Sequence, residues 1–184
     1  MQITNENEVF LFAEQNNISD IYALTLFAQA KHETGNFTSN VFKNAINSFG
    51  MRVAQKRPQN KVGTLTTAQG NYAVFSNYVD SWRDRISLDF YNKTLPPTSL
   101  EDVPRYIQEV ANKGYATDPI YAQKWLNTAS SVLSSVGVSP AVTSKFSVSW
   151  GSKLGIVGVV VLAIVGYLIA SKKIKLPFKI PFLT

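Results

Sequence analysis

The residue best suited to chemistry is Glu33, in the stretch Lys31-His32-Glu33-Thr34-Gly35. Glu33 ends an apolar run with helical spacing, and Gly35 is the residue type expected just past a helix C-terminus. The negative end of a helix dipole disfavours a carboxylate, and partial burial raises a carboxyl pKa in the same way. A carboxyl group that stays protonated near neutrality can donate a proton to a leaving glycosidic oxygen. An ordinary exposed glutamate near a helix end is the alternative.

The helix that carries Glu33 is predicted to begin at Ser19 or Asp20, which are both good N-cap residues. One face should pack inward, formed by Ile21, Leu24, Phe27 and Ala28. A short helix is predicted at 8–15, and residues 36–61 are expected to be mostly loop with a short helix at 40–45.

Two strands, 62–67 and 72–75, are predicted to form a hairpin around the turn-like residues 68–71. Capping-box patterns predict further helices from Ser81, with Asp84, and after Ser99, with Asp102. Asp118-Pro119 is predicted to open a last helix that ends at Gly137. The fold class is therefore predicted to be α+β, mostly helical with one small β-hairpin.

Composition excludes several kinds of site. The 184 residues include no cysteine, so disulfides and thiolate metal sites are ruled out. His32 is the one histidine, which argues against a histidine-based metal site or a Ser-His triad; we interpret it as structural or cleft-lining. No metal and no cofactor is predicted.

The net charge of +6 is unevenly distributed. Residues 1–149 carry 13 Lys and Arg against 12 Asp and Glu, whereas residues 150–184 carry five lysines and no acid. The nearly neutral first part lacks the basic character of a nucleic-acid-binding domain, so no nucleic-acid partner is predicted.

Residues 154–171 contain no charged side chain and are bounded by Lys153 and Lys172. As a helix these 18 residues would span ~27 Å, about the thickness of a bilayer's hydrocarbon core. A C-terminal transmembrane helix is therefore predicted at 154–171, after a linker at 138–153 and before a basic tail at 172–184. The lysine-rich tail favours a cytoplasmic C-terminus. A buried helix of a soluble domain is the alternative.

Four separated stretches together resemble one known family: Ala30–Gly35, Asn47–Arg52, Phe75–Tyr78 with Ser81, and Gly114–Lys124. Their order and content are similar to the endo-β-N-acetylglucosaminidase family of peptidoglycan hydrolases, which includes autolysins, flagellar muramidase domains and phage lytic enzymes. The resemblance covers roughly residues 15–135, and Gly114–Lys124 is its most specific part.

The resemblance implies a lysozyme-like domain at 1–137 that cuts the glycan strand of peptidoglycan, at the N-acetylglucosaminyl β-1,4 bond. It implies that Glu33 is the general acid and that Tyr115 is the cleft tyrosine near the reacting sugar. Substrate-binding residues are expected at Asn47, Phe49, Tyr72 and Tyr121.

The sequence departs from the family at the second carboxylate. Many members carry an acid on the hairpin, but 61–77 contains none, and Thr66 or Thr67 stands roughly at the expected place. Asp80 and Asp84 follow at the predicted start of a helix, where capping is the expected role. The substrate's own 2-acetamido group or 6-hydroxyl could replace the missing group, giving hydrolysis or an anhydro-sugar as in lytic transglycosylases.

Two interpretations remain open at this point: a membrane-anchored peptidoglycan glycosidase, and a non-catalytic glycan-binding or structural membrane protein. The polar N-terminus lacks the features of a secretory signal, although the implied substrate lies outside the cytoplasmic membrane. We therefore expect a single-pass protein of a virion membrane that opens the host wall, with a bacterial cell-membrane protein as the alternative.

Overall fold

Six helices and one hairpin make up residues 1–137, the part of the chain that this computed structural model describes. In chain order they are α1 (Glu6–Asn16), α2 (Asp20–Glu33), α3 (Asn40–Ala45), β1 (Gly63–Thr67), β2 (Gly70–Val74), α4 (Tyr78–Tyr91), α5 (Asp102–Asn112) and α6 (Tyr121–Ser135). The predicted α+β class, mostly helical with one small hairpin, is confirmed. None of the helices in 1–137 has the length and apolar character needed to cross a membrane. The predicted linker, transmembrane helix and basic tail lie outside the described residues.

Helix α2 is the centre of the domain. It packs against α6, α1 and α5, and every residue from Tyr22 to Ala30 is buried. The sequence predicted one inward face, but a helix surrounded by partners must be buried on all sides. Glu33 therefore stands at the end of a helix that is buried along most of its length.

Local capping signals locate the start of α2 correctly and the start of α4 wrongly. Ser19 caps α2, with its hydroxyl accepting a hydrogen bond from the Tyr22 N–H at 3.2 Å. Helix α4 was predicted to start at Ser81, but Asn77 is its N-cap and accepts from the Asp80 N–H. Ser81 is buried inside the helix, where its hydroxyl accepts from a backbone N–H of the 47–51 loop. The capping-box pattern at Ser81 therefore gave a start four residues too late, because the Ser81 side chain is used in a tertiary contact.

The later helix starts are also shifted relative to the predictions. Helix α5 begins at Asp102, three residues after Ser99. The Asp102 carboxylate accepts hydrogen bonds from the N–H groups of Ser99 and Thr98, which is the part of the predicted capping box that the acidic residue supplies. Helix α6 begins at Tyr121, because Asp118 accepts from the Ile120 N–H and closes a separate turn first.

The hairpin is antiparallel, with Gly63 opposite Val74 and Thr67 opposite Gly70. Strand β2 begins two residues earlier than predicted, so the connecting turn is shorter. In the core, Trp82 meets the rings of Phe12 and Phe49 edge to face, at centroid distances of 5.0 and 5.2 Å. This aromatic cluster joins α1, α4 and the 47–51 loop and holds one wall of the site.

Candidate active site

Glu33 is fixed by the way in which α2 ends. It is the last helical residue, and the Thr34 hydroxyl donates to the Ala30 carbonyl at 2.6 Å. The chain then turns through Gly35, whose φ of +56° lies in the left-handed region that favours glycine. The Glu33 side chain consequently projects beyond the end of the helix, toward Gly50.

The two carboxyl oxygens of Glu33 have different surroundings. Oε1 accepts a hydrogen bond of 2.6 Å from the Tyr121 hydroxyl. Oε2 lies beside Gly50, where the Cβ of any larger residue would come within 3.7 Å of it. Burial raises the pKa of Glu33, and the Tyr121 hydrogen bond and the Arg85 charge oppose that rise. Desolvation dominates, so the group favours its neutral form more than an exposed glutamate does.

A cleft of about 700 Å³ opens beside this carboxyl group. Its walls include Glu33, Gly50 to Arg57, Tyr72, Asp89, Lys113 and Tyr115. The volume is in the range of small-molecule sites. Glu33 is thus placed where a bound substrate would meet it.

Tyr115 forms part of the cleft wall. Its hydroxyl donates to the Phe49 carbonyl oxygen at 2.7 Å, and its ring stacks on that of Tyr121 at 5.8 Å. The Arg85 guanidinium lies 5.0 Å from the centre of the same ring. Burial raises the pKa of Tyr115 further above its ordinary value, so the phenol is neutral. The tyrosine ties two loops together at the cleft.

Asn47 is fully buried and does not reach the cleft. Its amide nitrogen donates to the Met51 and Ala73 carbonyls at 2.9 Å each, and its oxygen accepts from the N–H groups of Met51 and Phe49. The Phe49 ring is also buried, so this residue faces the site through its backbone carbonyl. Both predicted binding residues hold the 47–51 loop in place and bring Gly50 to the carboxyl group.

Tyr72 and Tyr121 differ in exposure. Tyr72 is half-buried and lines the cleft from β2, with the Arg52 guanidinium 4.1 Å above its ring. Tyr121 is 4 % exposed and directs its hydroxyl to Glu33. Tyr72 therefore presents part of its ring to the cleft, whereas Tyr121 holds the Glu33 carboxyl group from inside the domain.

Two residues beneath the site were not among the predicted ones. The Gln29 amide nitrogen donates to the Tyr121 hydroxyl at 2.8 Å, and Arg85 Nε donates to the Gln29 oxygen at 2.8 Å. Gln29 could have been recognised, because it is a polar residue in an apolar helix and lies four positions before Glu33, on the same face. No local signal distinguishes Arg85 from other arginines.

No second free carboxylate faces the cleft in residues 1–137. Asp89 lies at its wall but forms an ion pair of 2.6 Å with Arg85 and accepts from two tyrosine hydroxyls. Asp84 was expected to cap a helix, but it forms a buried, bidentate pair with Arg57 at 2.9 and 2.7 Å. Asp80 does lie in the first turn of α4 and bonds to Ser76 and Asn77.

The described residues contain no group of three or more His, Cys, Asp or Glu side chains that could hold a metal ion. His32 lies with its ring edge toward Tyr121 at 5.6 Å, and burial lowers its pKa. Neutral imidazole at this place adds no charge to the site.

Comparison with solved structures gives the fold a context. The glycoside hydrolase domain of FlgJ from Salmonella typhimurium aligns with a TM-score of 0.51 at 24% identity, covering 78% of this chain and 92% of that one. A variant of the peptidoglycan hydrolase from Sphingomonas sp. A1 aligns with a TM-score of 0.51 at 24% identity, covering 73% and 93%. A type VI secretion effector-immunity complex from Pseudomonas protegens gives 0.53 at 16% identity, covering 68% and 84%. At these identities the likeness establishes the fold.

No curated protein sequence matches the chain. The glucosaminidase family, described as mannosyl-glycoprotein endo-β-N-acetylglucosaminidase, matches residues 11–133. This match includes Glu33, Tyr115 and all four stretches that carried the resemblance, which is thereby confirmed. Since it spans well over half of the 184 residues, the chain belongs to the glucosaminidase family of glycan-cleaving enzymes.

Proposed function

We propose that the domain cleaves the glycan strand of peptidoglycan at the N-acetylglucosaminyl β-1,4 bond, with Glu33 as the general acid. The observation that carries this proposal is the state of Glu33: a carboxyl group with a raised pKa whose Oε2 faces a cleft. Membership of the glucosaminidase family supports the bond type. The peptidoglycan hydrolase named among the structures of similar fold supports the substrate class.

Because no second free carboxylate faces the cleft in residues 1–137, assistance by the substrate is favoured. The hairpin has no acid, and Asp89 is neutralised by Arg85. A two-carboxylate mechanism needs its second carboxylate free beside the anomeric carbon. The 2-acetamido oxygen of N-acetylglucosamine can instead attack that carbon while Glu33 protonates the leaving oxygen. Water then attacks the anomeric carbon of the oxazolinium ion while giving a proton to the Glu33 carboxylate, which breaks the bond from that carbon to the acetamido oxygen and restores the acid.

Digestion of purified peptidoglycan tests this proposal. Glu33→Gln should bind cell walls yet lose cleavage by ~10²–10⁴-fold, because an amide cannot donate the proton. Glu14→Gln is the matched control, since Glu14 is exposed on α1. A Glu33→Gln protein that clears peptidoglycan at the wild-type rate would overturn the assignment of the acid.

The released ends identify the chemistry. Mass spectrometry should find reducing N-acetylglucosamine ends. Ends lighter by one water would instead indicate attack by the 6-hydroxyl, as in a lytic transglycosylase. Wall binding by the wild-type protein without any clearing would indicate the non-catalytic alternative.

We also propose that residues 154–171 anchor the enzyme in a membrane and that a virion membrane carries it to the host wall. Support comes from the 18 uncharged residues between lysines and from the lysine-rich tail, which favours the cytoplasmic face and so favours the opposite face for the domain. The protein should co-purify with membrane-containing particles and be released by detergent but not by high salt. Its presence in host membranes alone would overturn the virion part of the proposal.

A further inference from the structure

Buried side chains form a continuous line of hydrogen bonds that ends at Glu33. Arg85 Nε donates to Gln29 Oε1 at 2.8 Å, and Gln29 Nε2 donates to the Tyr121 oxygen at 2.8 Å. The Tyr121 hydroxyl donates to Glu33 Oε1 at 2.6 Å. We call Arg85, Gln29 and Tyr121 the relay. It connects three helices, α4, α2 and α6, to one oxygen of the acid.

The direction of every bond in the relay is fixed by its first member. A guanidinium group has only donors, so the oxygen of the Gln29 amide must face Arg85. The amide NH₂ therefore faces Tyr121 and donates to its oxygen. Because the hydroxyl carries a single hydrogen and already accepts from Gln29, that hydrogen is directed to Glu33 Oε1.

This polarity decides where a neutral Glu33 carries its proton. A proton on Oε1 would place two hydrogens between the same pair of oxygens, Glu33 Oε1 and the Tyr121 hydroxyl. The proton must therefore be on Oε2. Within residues 1–137 no group forms a hydrogen bond to Oε2, which lies beside Gly50 at the cleft.

We propose that Arg85 and Gln29 are positioning residues, which fix the direction of the Tyr121 hydroxyl and thereby keep the acid proton of Glu33 on the oxygen that faces the cleft. The inference rests on the proposed role of Glu33 as the general acid. A carboxylic acid whose proton pointed away from the cleft would have to rotate or transfer it before catalysis.

Arg85 can fix the direction of the relay because several contacts hold its own side chain in place. It is fully buried, lies 2.6 Å from Asp89 as an ion pair, and donates to the Tyr106 hydroxyl at 3.1 Å. The titratable groups of 1–137 that face Glu33 are Arg85 from α4, Tyr121 from α6 and Tyr115 from the loop between α5 and α6. Of these, Tyr121 alone bonds directly to the carboxyl group.

Gln29→Glu tests the polarity with almost no change in shape. A carboxylate has only acceptors, so it accepts from Arg85 and also from the Tyr121 hydroxyl, which turns that hydrogen away from Glu33. The acid proton then moves to Oε1. We expect kcat on soluble peptidoglycan fragments to fall ~10–100-fold, part of the range for general-acid catalysis, with KM little changed. Combined with Tyr121→Phe, the same change should have almost no further effect, because the hydroxyl is gone.

A second readout does not depend on activity. Gln29→Met removes the amide and frees the Tyr121 hydroxyl to rotate, so the Glu33 carboxylate loses part of its hydrogen bond. Carbon-13 NMR titration should show a higher pKa for Glu33 in this variant, and no such increase when Tyr121→Phe is already present. Thr25→Val is the matched control, since Thr25 is buried one turn earlier on α2 and its hydroxyl bonds to the Ile21 carbonyl.

The relay is overturned if Gln29→Glu lowers kcat equally with and without Tyr121→Phe, or if the Gln29→Met pKa change persists in that background. Should Gln29→Glu fail to fold, the Gln29→Met titration decides. These outcomes differ from failure of the proposed function, which is shown by an active Glu33→Gln protein. If Glu33→Gln is inactive but the effects of the Gln29 and Tyr121 substitutions simply add, Glu33 remains the acid and the relay is rejected.

Discussion

Glu33 combines a charged side chain with surroundings that disfavour its charge. Its carboxyl group sits at the negative end of α2 and is largely desolvated, and desolvation is the main reason that its pKa rises from the ordinary value of 4.5. A group whose pKa is higher in the folded than in the unfolded state destabilises the fold once it ionises. A glutamate in these surroundings lowers the stability of the folded protein, as expected of a residue with a catalytic role.

The pH dependence of stability checks this reasoning. Below pH 4.5 Glu33 is neutral in both states, so Glu33→Gln should change the free energy of unfolding little. As pH rises from that value through the raised pKa of the folded state, the wild type loses stability relative to the variant. Above the raised pKa the difference in free energy of unfolding becomes constant. Urea unfolding from pH 4 to 8 measures it, with Glu14→Gln as the exposed control. A constant difference across the range would contradict a raised pKa.

Asn47 shows how a residue can be needed at the site without touching substrate. Its amide satisfies backbone groups of Met51, Phe49 and Ala73. Asn47→Ala leaves the buried N–H groups of Met51 and Phe49 without their acceptor and should cost ~1–3 kcal/mol per unsatisfied group, relaxing the loop that carries Gly50. Both the midpoint of thermal unfolding and the rate of hydrolysis should therefore fall in this variant. The exposed Asn44→Ala, on α3, should change neither, and a stable but inactive Asn47→Ala would instead indicate direct contact with substrate.

At the scale of elements, one buried ion pair holds a long irregular segment in place. Residues 52–60 have no regular helix or strand; 52–57 form a wall of the cleft, and Arg57 attaches the segment to Asp84 on α4. Both side chains are at most 6% exposed. Gln59 adds a third hydrogen bond to the same carboxylate, at 3.1 Å.

Asp84→Asn should therefore be strongly destabilising, because it leaves a buried guanidinium without its counter-charge. Removing one partner of a buried pair typically costs ~3–5 kcal/mol. Asp80→Asn, one turn earlier on α4, should cost ~1 kcal/mol or less, since Asp80 assists a helix start at the surface. Urea unfolding compares the two, and trypsin should cleave after Lys56 faster in Asp84→Asn. Equal stability of the two variants would show that the pair does not hold the segment.

Sequence patterns predict the helices and strands better than they predict the contacts between them. Ser19 and Glu33 are linked to α2 by caps and helical spacing, which are local, and the α+β class follows from such signals. The start of α4 depends on which of Asn77 and Ser81 is needed elsewhere, and Ser81 is used by the 47–51 loop. The bond between Tyr121 and Glu33 joins residues 88 positions apart. No spacing rule reaches that far, so the resemblance could indicate Tyr121 but not its role.

At the scale of the whole molecule, every residue to which the proposed chemistry assigns a role lies in 1–137. The buried core runs from Ile3 to Leu133, and the acid, the relay and the cleft all lie within that range. The remaining residues differ in composition: 150–184 carry five lysines, no acid and the uncharged run. This division predicts two separable activities, cleavage of glycan and attachment to a membrane.

A protein consisting of residues 1–137 should therefore unfold in urea at nearly the midpoint of the full chain and hydrolyse soluble peptidoglycan fragments with an unchanged kcat. It should no longer float with lipid vesicles, whereas the full chain should float and resist extraction by salt. Val161→Arg in the full chain is the matched control, because one arginine near the centre of a membrane segment costs ~2.5–3.5 kcal/mol of insertion. That variant should retain hydrolysis and float poorly. Flotation of residues 1–137 as strong as that of the full chain would place membrane binding in the catalytic domain and contradict the proposed anchor.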